Sequence, residues 1–157
     1  MEVQVDVIVS PETSSAAEGR LTALAQEVVA AALRLEGYKG DGAEVSVLYT
    51  DDSFISELNL RYRGVEGSTD VLSFALNEHE ENEVRVEGVP DVLGDIVVSL
   101  ETASRQAEAE GKTLEQEVAL LLAHGTLHLL GYDHDEPEKK AVMWKRQEEV
   151  LKEVGMA

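Results

Sequence analysis

The chain has 157 residues, 43% hydrophobic and 29% charged, which suits one folded domain with its own core and excludes a disordered chain or a second large domain. With 13 Lys and Arg against 32 Asp and Glu, the formal charge is −19, so the surface as a whole repels polyanions and anionic membranes, and any nucleic-acid contact must use a local patch. The absence of Cys excludes disulfides, thiolate nucleophiles and Cys-ligated metals, leaving His and carboxylates as available ligands.

Met1-Glu2-Val3 opens the chain without a basic stretch followed by an apolar one, so no signal peptide is expected and the location is read as cytoplasmic. Val3, Val5, Val7 and Val9 alternate with polar residues except at Ile8, the period of a half-buried strand. Ser15 and Glu18 make a capping box for a helix carrying Leu21, Leu24, Val28, Ala31, Ala32 and Leu35 up to Gly37. Val45, Val47 and Tyr49 predict a second strand, and Asp52 is expected to cap a short helix bearing Ile55, Leu58 and Leu60.

Val71, Leu72, Phe74 and Leu76 suggest a third strand, and Leu93 to Val98 a fourth. Between them the acidic stretch Asn77 to Asp91, which contains His79, reads as an exposed loop or hairpin. Leu100 to Glu110 is helical up to Gly111, and Thr113 with Gln116 forms a capping box for an apolar helix reaching Leu130, where Gly131 stops it. The apolar run Val118 to Leu130 is broken by His124, Gly125, Thr126 and His128 and is too short to span a membrane. A last helix begins near Pro137, with Val142, Met143, Val150, Leu151 and Val154 expected inside. Four strand patterns thus stand beside about five helical ones along the chain.

Three of the four histidines stand in the eleven-residue stretch His124-Gly-Thr-Leu-His128-Leu-Leu-Gly-Tyr-Asp-His134. Residues four apart share one helix face, so His124 and His128 can clamp a single ion. Gly131 permits the left-handed backbone that reverses a chain after a helix, which can return His134 as third ligand. A lone histidine in a helix usually packs quietly, but two polar rings interrupting an apolar helix each need a partner, and a metal supplies one to both. Zinc takes three His ligands and, in catalytic sites, keeps an open position.

This segment resembles the signature of the YbeY family of metal-dependent endoribonucleases. Leu58-Asn59 through Tyr62-Arg63, then Thr69-Asp70-Val71-Leu72-Ser73-Phe74, and Leu93-Gly94-Asp95-Ile96 resemble the same family in the same order. The resemblance implies that residues 1–157 form a single α+β metal-dependent hydrolase domain with a small mixed four-stranded sheet, about five helices and a zincin-like metal helix. It implies one zinc ion per chain held by His124, His128 and His134, with Arg63 as the functional arginine. It further implies a role in ribosomal RNA maturation, at the 3′ end of the small-subunit RNA, and in ribosome quality control. The implied partners are the small ribosomal subunit and ribosome-associated proteins, with no membrane. Two departures stand out: Ser68 and Ala75 occupy positions where the family often has Pro, which alters loop rigidity and not the metal site.

The chemistry agrees with the resemblance. A metal-activated water and a polarised phosphoryl oxygen are what phosphodiester hydrolysis needs, and a guanidinium such as that of Arg63 offers a planar fork to phosphate. Zinc peptidases of the H-E-x-x-H type carry Glu where this chain has Gly125, which disfavours protease chemistry. Asp133 suits two roles, a general base or a carboxylate that orients an imidazole, the second being favoured. Asp95 is a further candidate for orienting a ligand. Arg61 and Arg63, with Lys139, Lys140, Lys145 and Arg146, would make a positive groove if both segments border the cleft. The alternatives are a zinc hydrolase acting on a peptide or small substrate, and a non-enzymatic ribosome assembly factor with structural zinc.

Overall fold

A computed structural model describes residues 2–10, 18–39, 42–76 and 91–157. The expected Ser15 cap, His79 and nearly all of the acidic stretch before Asp91 lie outside these residues. The alternating valines form β1 (Glu2–Val9) and pack on the main core. Ile8 breaks the alternation and sits on the opposite face, 61% exposed. Helix α1 (Glu18–Leu35) buries Leu21, Leu24, Val28, Ala31 and Ala32 as its period predicts. Strand β2 (Gly42–Thr50) runs parallel to β1. Its Tyr49 hydroxyl donates to the Leu21 carbonyl at 2.9 Å, and burial pushes that hydroxyl well above its ordinary range, so it remains a donor tying sheet to helix.

Helix α2 (Asp52–Arg63) is capped by Asp51 rather than Asp52: the Asp51 carboxylate accepts the Phe54 N–H at 2.9 Å from an extended backbone. Two consecutive Asp residues offer the same cap chemistry, and the backbone conformation decides between them. Asp52 instead accepts the Ser99 and Thr102 hydroxyls at 2.6 Å each and pairs with Arg105 at 2.8 Å, clasping α2 to the helix that follows the fourth strand. Ile55 is buried as expected, but Leu60 is 55% exposed. Strand β3 (Val71–Ala75) pairs antiparallel with β4 (Asp91–Ser99), which pairs parallel with β2, giving the sheet order β1-β2-β4-β3. Leu76 falls just past β3 and is exposed.

Helices α3 (Leu100–Glu110), α4 (Leu114–Leu129) and α5 (Pro137–Glu153) follow. The main core joins α1 and α4 to the sheet face carrying Val45, Val47, Tyr49, Ile96 and Val98. A smaller cluster of Ile55, Leu72 and Val97 lies on the other face, beneath α2. This single α+β domain with a mixed four-stranded sheet and five helices is the predicted class. On α5 the buried positions are Met143, Gln147 and Val150, while Val142, expected inside, is 50% exposed. Among the described residues no helix is long and apolar enough to cross a membrane.

Gly94 marks the point where β4 slips register against β2. Its φ is +144°, and a Cβ there would stand 2.0 Å from the Phe74 carbonyl oxygen, so only glycine allows β3 and β4 this close approach.

Candidate metal centre

Thr113 and Gln116 exchange the two bonds of a capping box at 3.1 and 2.9 Å and start α4 as the sequence predicts. The helix buries Val118, Ala119, Leu121, Leu122, Ala123 and Leu127. Burying each large aliphatic side chain contributes roughly 1.5–3 kcal/mol, so the segment is firmly anchored before the histidines emerge. At its end the Gly131 N–H donates to the His128 carbonyl and the Tyr132 N–H to the Leu127 carbonyl, both at 3.0 Å, with Gly131 at φ +101°. These paired bonds form a Schellman stop, and the reversed chain brings His134 back to the helix.

One ring nitrogen from each of His124, His128 and His134 lies within 4.8 Å of the others. The ring centroids are separated by 4.5, 5.5 and 5.1 Å. The Nε2 atoms of His124 and His128 face each other at 3.0 Å, against about 3.3 Å for two nitrogens sharing a tetrahedral ion at zinc–nitrogen distances. His124 Nδ1 donates to Gln147 Oε1 at 2.6 Å, and the His128 ring bonds to the Tyr132 backbone. With those outward bonds made, two neutral rings turn unprotonated nitrogens toward one another, an arrangement that a cation relieves. The donor set therefore fits a metal such as zinc, with three imidazoles and, among the described residues, no fourth ligand in the group.

Electrostatics favour the same state. Burial holds the His124 imidazole below its ordinary range, and the neighbouring His134 adds to this, against the Gln147 hydrogen bond and the Asp70 charge. Burial likewise depresses His128, joined by His124 and His134 and opposed by the Tyr132 bond and Asp133. Neutral imidazoles are the ligand-competent form.

The cleft around these rings has a volume of about 500 Å³ and is lined by Arg63, Asp70, Ser73 and Asp133 together with the histidines. Arg63 comes from the last turn of α2, where the helix dipole favours a cation. Gly64, at φ +67°, ends that helix, and the buried Asn59 donates to the Gly67 carbonyl at 3.0 Å to hold the loop that follows. Asp133 is exposed, and its carboxylate accepts the His134 N–H at 2.7 Å. That bond is the leading cause of its lowered pKa, and it fixes the turn that carries the third imidazole.

Asp95 does not join the cleft. It lies on the α2 side of the sheet in an apolar groove with Ile8, Phe54, Leu58 and Tyr62, because side chains alternate along β4 and it is Ile96 that faces α4. Of the six basic residues singled out, Arg63 alone lines the cleft among the described residues. Arg146 pairs with Glu36 and Glu149, and Lys139 with Asp135. Among the described residues these cations do not line up along the cleft.

Two groups at the site carried no role in the sequence. Gln147, which orients His124, sits four residues after Met143 and three before Val150 on a buried stripe; a polar residue on such a stripe was the available signal. Asp70 is held by the Val71 N–H at 2.8 Å and by Gln106 at 3.3 Å, and Gln106 also donates to the buried Glu117 at 3.0 Å. Lys112 closes this chain on Glu117 at 3.0 Å. Gly125 also acquires a reason: a Cβ there would meet Ile96 Cγ2 at 2.9 Å and Ser73 Oγ at 3.2 Å. Helix and sheet touch where a zinc peptidase would carry its glutamate.

A single α+β domain in which the end of an apolar helix and the turn after it bring three imidazoles together beside an arginine has the donor set of a histidine-site metal hydrolase. The profile of the family described as Endoribonuclease YbeY matches residues 7–155, and the chain belongs to that family. It is 50% identical over 139 residues to an Endoribonuclease YbeY of Desulforamulus reducens, covering 88% of this chain and 90% of the relative. The Endoribonuclease YbeY of Halalkalibacterium halodurans is 43% identical over 159 residues, covering 99% and 98%. The solution structure of TM1509 from Thermotoga maritima superposes with a TM-score of 0.55 at 25% identity, covering 96% of this chain and 91% of that one.

Proposed function

We propose that this protein is a zinc-dependent endoribonuclease that cuts single-stranded regions of ribosomal RNA precursors, at the 3′ end of the small-subunit RNA, in the cytoplasm and in association with the small ribosomal subunit. The observation that carries the proposal is the meeting of three convergent imidazoles and the Arg63 guanidinium in one cleft. His124, His128 and His134 would hold the ion, which supplies Lewis acidity toward water and a phosphoryl oxygen. Arg63 binds the scissile phosphate through its planar fork of donors and stabilises the charge that develops on it. Gln147 and the Tyr132 backbone fix the tautomers of His124 and His128, leaving Nε2 free to ligate. Asp133 keeps His134 in place through the turn bond and so acts as a positioning group rather than the base. A peptidase reading is weakened by the contact that keeps position 125 a glycine.

The test is cleavage of a single-stranded ribosomal RNA fragment, with metal content measured on the same preparations. Wild type is expected to carry about one zinc per chain and to cleave. Arg63→Ala should keep the metal and lose about 10²–10³-fold in rate, as when one transition-state donor is removed. Equal cleavage by wild type, Arg63→Ala and His128→Ala would replace the nuclease with the assembly-factor reading.

A further inference from the structure

Trp144 is the one tryptophan of the chain. It stands on α5 next to the buried Met143 and is 43% exposed, an arrangement that leaves a large apolar ring partly in water. Its ring lies 5.7 Å from that of His124 at 84° and 6.2 Å from that of His134 at 90°. The indole thus forms a wall of the imidazole cluster. Lys140 Nζ lies over the same ring, 5.2 Å from its centroid, so that face carries a displaceable, solvated side chain and not packed protein.

We propose that Trp144 is a stacking platform for a nucleobase of the strand whose phosphate enters the cleft, with Lys140 moving from the ring to that strand's backbone. The proposal rests on the RNA-cleaving reading and deepens it by naming a base subsite. Charge makes such a subsite necessary. At −19 overall, with Arg146 and Lys139 paired to carboxylates, the protein has few cations with which to hold a polyanion. Stacking on an aromatic face is independent of charge and of base identity. It also requires an unpaired base with an open face, which a single strand offers and a duplex withholds.

Because Trp144 is the one indole, its fluorescence reports the contact directly. The metal-loaded protein is titrated with an end-labelled 2′-O-methyl single-stranded RNA of about 8 nucleotides, within the usual footprint of such sites. Label anisotropy and tryptophan emission are followed together. Quenching that saturates in step with anisotropy is expected, and it should be lost with a strand of the same length made of abasic sugar-phosphate. Trp144→Leu keeps an apolar wall without a π face and should bind about 5- to 100-fold more weakly at unchanged metal content, while Trp144→Phe stays close to wild type. Binding without quenching, or Trp144→Leu binding as wild type does, would overturn the platform and leave the RNA reading intact. No rise in anisotropy at all would overturn both.

Discussion

The sheet has an opening on each face, and the two differ in kind. On the α2 side lies an apolar groove of about 550 Å³ with Ile8, Phe54, Leu58 and Tyr62, in which Asp95 is the one carboxylate among the lining residues. On the α4 side, at the edge strand β3, lies a cleft of about 500 Å³ lined by three imidazoles, an arginine and two aspartates. Size and apolarity alone would favour the groove as the site. Convergent chemistry selects the cleft, because only there do rigid elements aim groups of complementary function at one point. Asp95 and Ile96 are neighbours in sequence, yet a single step along β4 puts one in the groove and the other under α4.

Substitutions on the two sides should differ in their effects. The largest effect is expected on the cleft side: His128→Ala should lose the metal and cost more activity than Arg63→Ala, which keeps the metal but loses the about 10²–10³-fold of a missing charge donor. Metal analysis beside a cleavage assay reads both. Next, Gly94→Ala forces a Cβ against the Phe74 carbonyl at a positive φ, and a loss exceeding about 3 kcal/mol is expected in denaturant unfolding. Gly125→Glu should fail similarly, without creating a peptidase, because Ile96 occupies the required space.

A pH effect of intermediate size follows from the depressed His124 and His128. The metal-free protein should keep the full contribution of its neutral rings above the ordinary imidazole pKa of about 6.5. It should lose that contribution as pH falls through the lower folded values, because the unfolded chain then binds more protons. Metal affinity should fall over the same acid range. Thermal melts with and without chelator between about pH 7 and 5 check both. The smallest effect is expected in the groove: Asp95→Asn should leave metal content unchanged and the cleavage rate within about 2-fold, in line with a surface change away from the reacting groups. A large loss of activity there would erase the distinction between the two openings.

Much of this organisation was legible in the sequence because it depends on local rules. The alternating valines of β1, the Thr113–Gln116 box and the Gly131 stop are each set by a few neighbouring residues, and the three-His spacing follows from helix period plus that stop. What was not legible depends on distant packing. Leu60 and Val142 carry apolar side chains at helical spacing, yet no described element covers them and they face solvent. The Asp70–Gln106–Glu117–Lys112 chain joins the segment just before β3 to α3 and α4, and no periodicity announces it. The cations after the histidines looked like a groove, but the carboxylates that pair with Lys139 and Arg146, among them Glu36 just past α1, became visible only in three dimensions.

The central claim is that His124, His128 and His134 ligate one zinc together. X-ray absorption at the zinc edge of the purified protein tests it most directly, compared with His134→Ala, whose ring is the one delivered by the Gly131 reversal. Three imidazole nitrogens at about 2.0–2.1 Å in the wild type, reduced to two in the variant, are the expected result. A coordination shell of oxygen atoms alone, or a shell unchanged by His134→Ala, would contradict it.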